Sequence, residues 1–191
     1  MRYLVSLIFV LISSLDYLIL ASEKPNIIVI MADDLGYEAL SANGSESCSS
    51  PNLDKLAAGG VRFTNCFSNP ICTPSRVKIM TGQYNVRNYV EFGVLDRGQT
   101  TFAHQLKTVG YKTCIAGKWQ LNGLYNKLPG WEDRSRPQKA GFHESYRWQV
   151  TTGKQLKDGG GERFWSPPLE RNGVMETVED NADKYGPDLL C

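Results

Sequence analysis

The stretch PNIIVIMADDLGY, residues 25–37, decides the fold. Its centre, IIVIMA (27–32), is a continuous apolar run rich in β-branched residues, short, and closed by a turn. That pattern predicts a strand buried on both faces, the kind found in parallel sheets. The run ends on Asp33-Asp34-Leu35-Gly36, which sets two carboxylates at the strand's carboxyl end.

The same rhythm continues downstream. Ser50 and Pro51 form a helix start, as N-cap and first helical residue, and Leu53, Leu56 and Ala57 share a face before Gly59-Gly60 ends the turn pattern. VRFTNCF (61–67) reads as a second strand. A helix is expected from about Pro74 to Thr81 with Gly82 as its cap, and another after Thr100 or Thr101, with Phe102, Leu106 and Val109 on one face up to Gly110. YKTCIA (111–116) is a third strand, leading into Gly117-Lys118-Trp119. Strands alternating with helices predict an α/β fold with a largely parallel sheet flanked by helices. Ligands of such sheets bind beyond the carboxyl ends of the strands, where Asp33, Asp34 and Lys118 all fall. Beyond residue 120 the pattern thins to loops, with a hairpin expected in RFWSPPLERNGV around Asn172-Gly173 and a helix start at Pro187-Asp188, close to the last residue. That ending reads as a truncation.

The chain has 191 residues, 41% hydrophobic and 21% charged, and a net charge of +1. This suits one globular core and excludes the basic stripe of a nucleic-acid binder. Residues 1–22 are set apart, because Met1-Arg2 precedes a mostly apolar run through Ser22. They read as a signal peptide, with an uncleaved membrane anchor as the alternative, and residues 24–191 as the domain it exports. Export permits disulfides, but five cysteines (Cys48, Cys66, Cys72, Cys114, Cys191) leave at least one unpaired within the chain. No Cys/His spacing of a zinc site occurs, and there are two histidines.

ICTPSRVKIMTG (71–82) places Cys72 near a helix start, where backbone N–H groups and the helix dipole favour an anion, with Arg76 about one turn on. A phosphatase-type loop fits poorly: position 78 is Lys, and no glycine lies between it and Cys72. A Cys–His protease has no supporting spacing. Adjacent acids such as Asp33-Asp34 read either as a solvated turn or as ligands of a hard cation.

Four stretches together, PNIIVIMADDLGY (25–37), SPNLDKLAAGGVRFTNCFS (50–68), CTPSRVKIMTGQY (72–84) and GYKTCIAGKW (110–119), resemble the sulfatase family in content, order and spacing. The resemblance implies an alkaline-phosphatase-like fold, of which this chain is an N-terminal portion. It implies that Cys72, in a C-x-P-x-R element, is oxidised to formylglycine (3-oxoalanine) by a formylglycine-generating enzyme. The aldehyde hydrate is then the nucleophile toward sulfur. Asp33 and Asp34 would bind Ca²⁺, in preference to Mg²⁺, with the modified Cys72 completing the protein side of the metal site. Arg76 would hold the hydrate, and Lys118 would neutralise charge on the sulfate. The implied partners are a sulfated small molecule or polysaccharide and the maturase, in an exported compartment.

Two departures from the family pattern follow. Gln120 stands where many members carry a histidine, so this substrate-contacting position can hydrogen-bond but not carry a proton near neutral pH. The later acidic, Lys and His blocks of the family have no counterpart in these 191 residues. A formylglycine-dependent phosphoester or phosphonate hydrolase and a non-catalytic remnant therefore stand as alternatives to a sulfuric ester hydrolase.

Overall fold

A computed structural model describes residues 24–148, 164–177 and 179–190. The expected signal peptide and Cys191 lie outside these residues. Two compact units divide at Ser49/Ser50.

In the first unit, two 3₁₀ turns span Tyr37–Ala39 and Ser41–Asn43. The second is closed by Gly44 in the left-handed region (φ 95°), whose N–H donates to the Ser41 carbonyl at 2.9 Å. No strand forms over 27–32, a correction to the sequence reading, and Ile28 and Ile30 are more than four-fifths exposed. The second expected strand, 61–67 in the other unit, is also absent, with Val61, Phe63 and Phe67 exposed. The physical reason is shared. A strand buried on both faces exists only through neighbouring strands and covering helices, and the described residues provide neither for these runs.

The second unit begins with helix α1 (Pro51–Gly59). Pro51 occupies the first helical position as expected, but the Ser50 hydroxyl bonds the Asp54 carboxylate at 3.1 Å rather than a backbone N–H. Helix α2 (Cys72–Thr81) starts two residues before Pro74 and is capped by Gly82 at φ 64°, with its N–H on the Lys78 carbonyl at 2.8 Å. A short helix α3 (Asn85–Asn88) follows. Helix α4 (Phe102–Thr108) opens on a reciprocal cap: the Thr101 hydroxyl accepts from the His104 N–H, and His104 Nδ1 accepts from the Thr101 N–H at 3.1 Å. Nδ1 must then be unprotonated, so Nε2 carries the hydrogen toward the Lys139 carbonyl at 3.1 Å.

Strand β1 (Cys114–Lys118) lies a few residues later than the sequence suggested. It pairs in parallel with β2 (Glu144–Trp148), reached by a crossover containing helix α5 (Arg136–Lys139). Strands β3 (Glu170–Arg171) and β4 (Val174–Met175) add antiparallel, in the order β1-β2-β3-β4, so the α/β sheet is mixed. The β3–β4 connection is the expected two-residue turn. Asn172 and Gly173 both have positive φ (50° and 86°), the geometry Asn-Gly favours in a hairpin. Helix α6 (Gly186–Leu190) follows the Pro187-Asp188 signal.

The core gathers Val77 and Met80 of α2, Ala103 of α4, Leu95, Trp119, Leu121, Ala140 and Phe142. Burial of each large member contributes about 1.5–3 kcal/mol. Phe102 meets Phe142 edge-on at 5.8 Å between centroids. This core fixes the end of β1 against α2, and with it the candidate site.

Candidate active site

Cys72 is the first residue of α2 and is half-buried. The residues around it hold the helix start rigidly. Ser75, almost fully buried, accepts from the Asn69 N–H at 2.9 Å, and its hydroxyl faces the Ile71 carbonyl at 3.1 Å. The chain entering Cys72 is thereby folded onto the first helical turn. Thr73, fully buried, accepts at Oγ1 from the Gly93 N–H at 3.0 Å. The Pro74 carbonyl accepts from Asn85 Nδ2 at 3.0 Å. Pro74 itself lies in the first turn, where a missing N–H costs nothing. The N-cap residue, Ile71, offers no side-chain cap, so this end of the helix keeps its positive character.

Arg76 reaches across to β1. Its Nη1 donates to the Lys118 carbonyl at 2.7 Å, a charge-assisted bond between residues 42 apart. This bond brings the C-T-P-S-R and G-K-W motifs together. Lys118 ends β1 and is half-buried. Immediately after it, the Trp119 N–H continues the parallel ladder onto the Trp148 carbonyl at 3.1 Å, and the indole Nε1 donates to Asn122 Oδ1 at 2.6 Å.

Gln120 is 2% exposed and sits at φ 62°, a left-handed conformation unusual outside glycine and asparagine. Its Nε2 donates to the Tyr125 hydroxyl at 3.4 Å, while its Oε1 is buried with no hydrogen-bond donor among the described residues. A left-handed backbone costs about 1–3 kcal/mol and marks a residue whose direction is dictated by its surroundings.

Asp33 and Asp34 belong to the first unit. Asp33 is half-buried, and Asp34 is exposed with φ 57°. Their carboxylates fit a hard cation in kind. They do not fit it in number, because Ca²⁺ takes about six to eight oxygens. Among the described residues no group of three His, Cys, Asp or Glu side chains is placed to hold a metal. Cys48, Cys66, Cys72 and Cys114 are all free thiols.

Sequence reasoning missed the residues behind the site. Arg147, on β2 opposite Gly117, is fully buried, with its guanidinium 5.6 Å from the Trp119 ring and its Nη2 donating to Ser145 Oγ at 2.8 Å. Burial pulls the Arg147 pKa down to about 10, partly countered by the carboxylate of Glu170. The signal was hidden because ESYRW (144–148) buries its polar alternates, Ser145 and Arg147. Thr73 and Ser75 could have been found, since hydroxyls next to a helix start commonly tie down its approach.

A thiol at a helix start, coupled through Arg76 to a lysine at a strand's end, gathers positive character that suits an anionic ligand. The sulfatase family model matches residues 25–163, and the chain belongs to that family. Human steryl-sulfatase is 36% identical over 159 residues, covering 75% of this chain and 27% of that protein. Bovine arylsulfatase A is 45% identical over 133 residues, covering 64% and 25%. The chain thus spans about a quarter of the length of these relatives. Among solved structures, that of Ps i-CgsB aligns at TM-score 0.69 with 28% identity, over 87% of this chain and 39% of that one. BT4656, in complex with its substrate D-glucosamine-2-N,6-O-disulfate, aligns at TM-score 0.64 with 27% identity, over 87% and 29%.

Proposed function

We propose that this chain carries the nucleophile-bearing part of a sulfuric ester hydrolase of the arylsulfatase type, acting on a sulfated small molecule or saccharide in an exported compartment. The observation that carries the proposal is the Arg76–Lys118 carbonyl bond, which joins two of the family's motifs at one place. Oxidised to formylglycine by a maturase, Cys72 would supply a geminal diol as nucleophile at the start of α2. Ser75 and Thr73 fix its direction by tying the loop before it and the Gly93 loop to the same turn.

Arg76 keeps the Cys72 turn in register with the end of β1, and its positive charge favours the anionic form of the nucleophile. Lys118 would face charge developing on the ester oxygen, an electrostatic role that is strong where water is excluded. Gln120 would direct an amide toward the substrate or the diol without transferring a proton. Asp33 and Asp34 would supply part of the oxygen set of a divalent cation, and the chemistry such a cation would supply is to acidify the nucleophile and polarise the ester. That a sulfated glucosamine is the substrate of one structural neighbour supports a sulfated saccharide for this one.

The test is co-expression of the full-length protein with a formylglycine-generating enzyme, followed by mass spectrometry. The tryptic peptide 63–76 also contains Cys66, so fragment ions must place the modification. The expected result is an aldehyde at Cys72, turnover of an aryl sulfate above that of the matching aryl phosphate, and loss of both modification and turnover in Cys72→Ala. An intact thiol together with undiminished turnover in Cys72→Ala would overturn the proposal.

A further inference from the structure

One cavity in the Ser50–Cys191 unit has none of Cys72, Arg76 and Lys118 in its walls. Its volume is about 250 Å³, and it is lined in part by Val90, Leu95, Leu121 and Leu128. A void of about 150 Å³ already holds a benzene ring, so this one has room for one substituted ring. Its polar lining is lopsided in charge. Arg97 and Arg136 both face it, and Asp96 is the only acid on the wall among the described residues.

The two guanidiniums are held in place. Arg136 is 4% exposed and donates from Nη2 to the Leu95 carbonyl at 2.8 Å. Arg97, at the exposed edge, donates from Nη2 to the Pro129 carbonyl at 2.7 Å. Outside the wall, the carboxylate of Asp133 is already engaged by Lys139 at 2.7 Å. Burial lowers the Arg136 pKa and the charge of Arg97 lowers it further, against weaker support from Asp133 and Asp96. An unbalanced positive charge beside apolar walls is costly, and an anion seated there would relieve it.

We propose that this cavity binds a single-ring organic monoanion, a carboxylate or sulfonate whose ring lies on the leucines and whose charge meets Arg97 and Arg136. The site is distinct from the Cys72 turn yet close along the chain. Leu121 directly follows Gln120, and the Val94–Asn122 bridge joins the cavity wall to the loop whose Gly93 N–H is held by Thr73.

The probe is benzenesulfonate, titrated against the full-length protein by ligand-observed NMR, with circular dichroism confirming the native fold of each variant. Both test positions, Arg97 and Val90, are exposed, so substitution there leaves the core intact. Saturable binding is expected, weakened about tenfold by Arg97→Gln, as for the loss of one charge-assisted bond. Val90→Trp should weaken it similarly by filling the cavity, and Lys118→Gln should leave it unchanged. No saturable binding to the folded protein, or binding indifferent to Arg97→Gln and Val90→Trp, would overturn the proposal. So would binding lost in Lys118→Gln alone, which would place the anion at the Cys72 site. Aldehyde formation at Cys72 is read separately and stands or falls independently of these outcomes.

Discussion

Replacing Arg76 by Met keeps the length and apolar stem of the side chain and removes the guanidinium. With it goes the 2.7 Å hydrogen bond from Nη1 to the Lys118 carbonyl. A hydrogen bond involving a charged group contributes about 1.5–3 kcal/mol, and solvent that reaches this half-buried site can partly replace it. A destabilisation of about 2 kcal/mol is therefore expected. For a domain of this size, about 2–4 °C in Tm accompanies each kcal/mol, so the midpoint should fall by about 4–8 °C. Differential scanning calorimetry of this 191-residue chain, matched by urea unfolding, measures it. Arg76→Lys should recover only part of the difference, since an ammonium lacks the guanidinium's reach and fork. Turnover should fall much further than stability, because Arg76 also sets the position of Cys72 relative to Lys118. A midpoint unchanged within about 1 °C, with turnover unchanged in Arg76→Met, would refute the reasoning.

Gly141 has φ 100°, and a Cβ there would lie 2.6 Å from the His104 backbone nitrogen. Gly141→Ala is expected to destabilise by about 3 kcal/mol, read by urea unfolding, because backbone cannot yield as a side chain would. Burial alone would raise the Asp133 carboxyl, but hydrogen bonds from Lys139 and Ser135 and the charge of Lys139 bring it to about 2. A carboxyl lowered on folding stabilises above its unfolded pKa near 3.8 and loses that contribution as pH falls toward 2. Asp133→Asn should thus cost about 1 kcal/mol at pH 7, after allowance for solvent screening, and only a small part of that at pH 2; equal melting curves at pH 7 would contradict this. Asn172 Oδ1 accepts from the Ser145 N–H at 2.7 Å and its backbone is left-handed, so Asn172→Ala should cost about 1–2 kcal/mol by the same measurement. Calorimetric titration of these 191 residues with Ca²⁺ should show no tight site, since two aspartates supply too few oxygens. A well-defined submicromolar isotherm would contradict that.

What was legible in the sequence was local. The Asn-Gly hairpin, the Gly82 cap, the Thr101 N-cap and the Pro187-Asp188 helix start each depend on a few adjacent residues, and each stands in the structure. The runs at 27–32 and 61–67 did not become strands, because their patterns state only that both faces want burial. Whether a partner strand lies beside them is a non-local matter that periodicity cannot report. The β2 strand failed in the opposite sense: alternation in ESYRW points its polar residues outward, yet Ser145 and Arg147 face the interior as a bonded pair. Reading a buried arginine requires knowing that Glu170 and the Trp119 ring wait on the neighbouring elements.

The candidate site divides along the same line. Cys72, Arg76 and Lys118 were singled out by motifs, but nothing in the motifs says that Arg76 grips the backbone of Lys118 rather than its side chain or a neighbouring acid. A bond to backbone constrains differently. The carbonyl of Lys118 is fixed by the strand's geometry, so the arginine reads the position of β1's end whatever residue stands there. Gln120 sharpens the point. Its left-handed φ comes two residues after Lys118, and the side chain that results is buried with its Oε1 uncommitted to any described donor. A histidine in that conformation could exchange a proton; a glutamine can only hold one orientation. The left-handed backbone sets where this amide points, and an amide carries no proton near neutral pH.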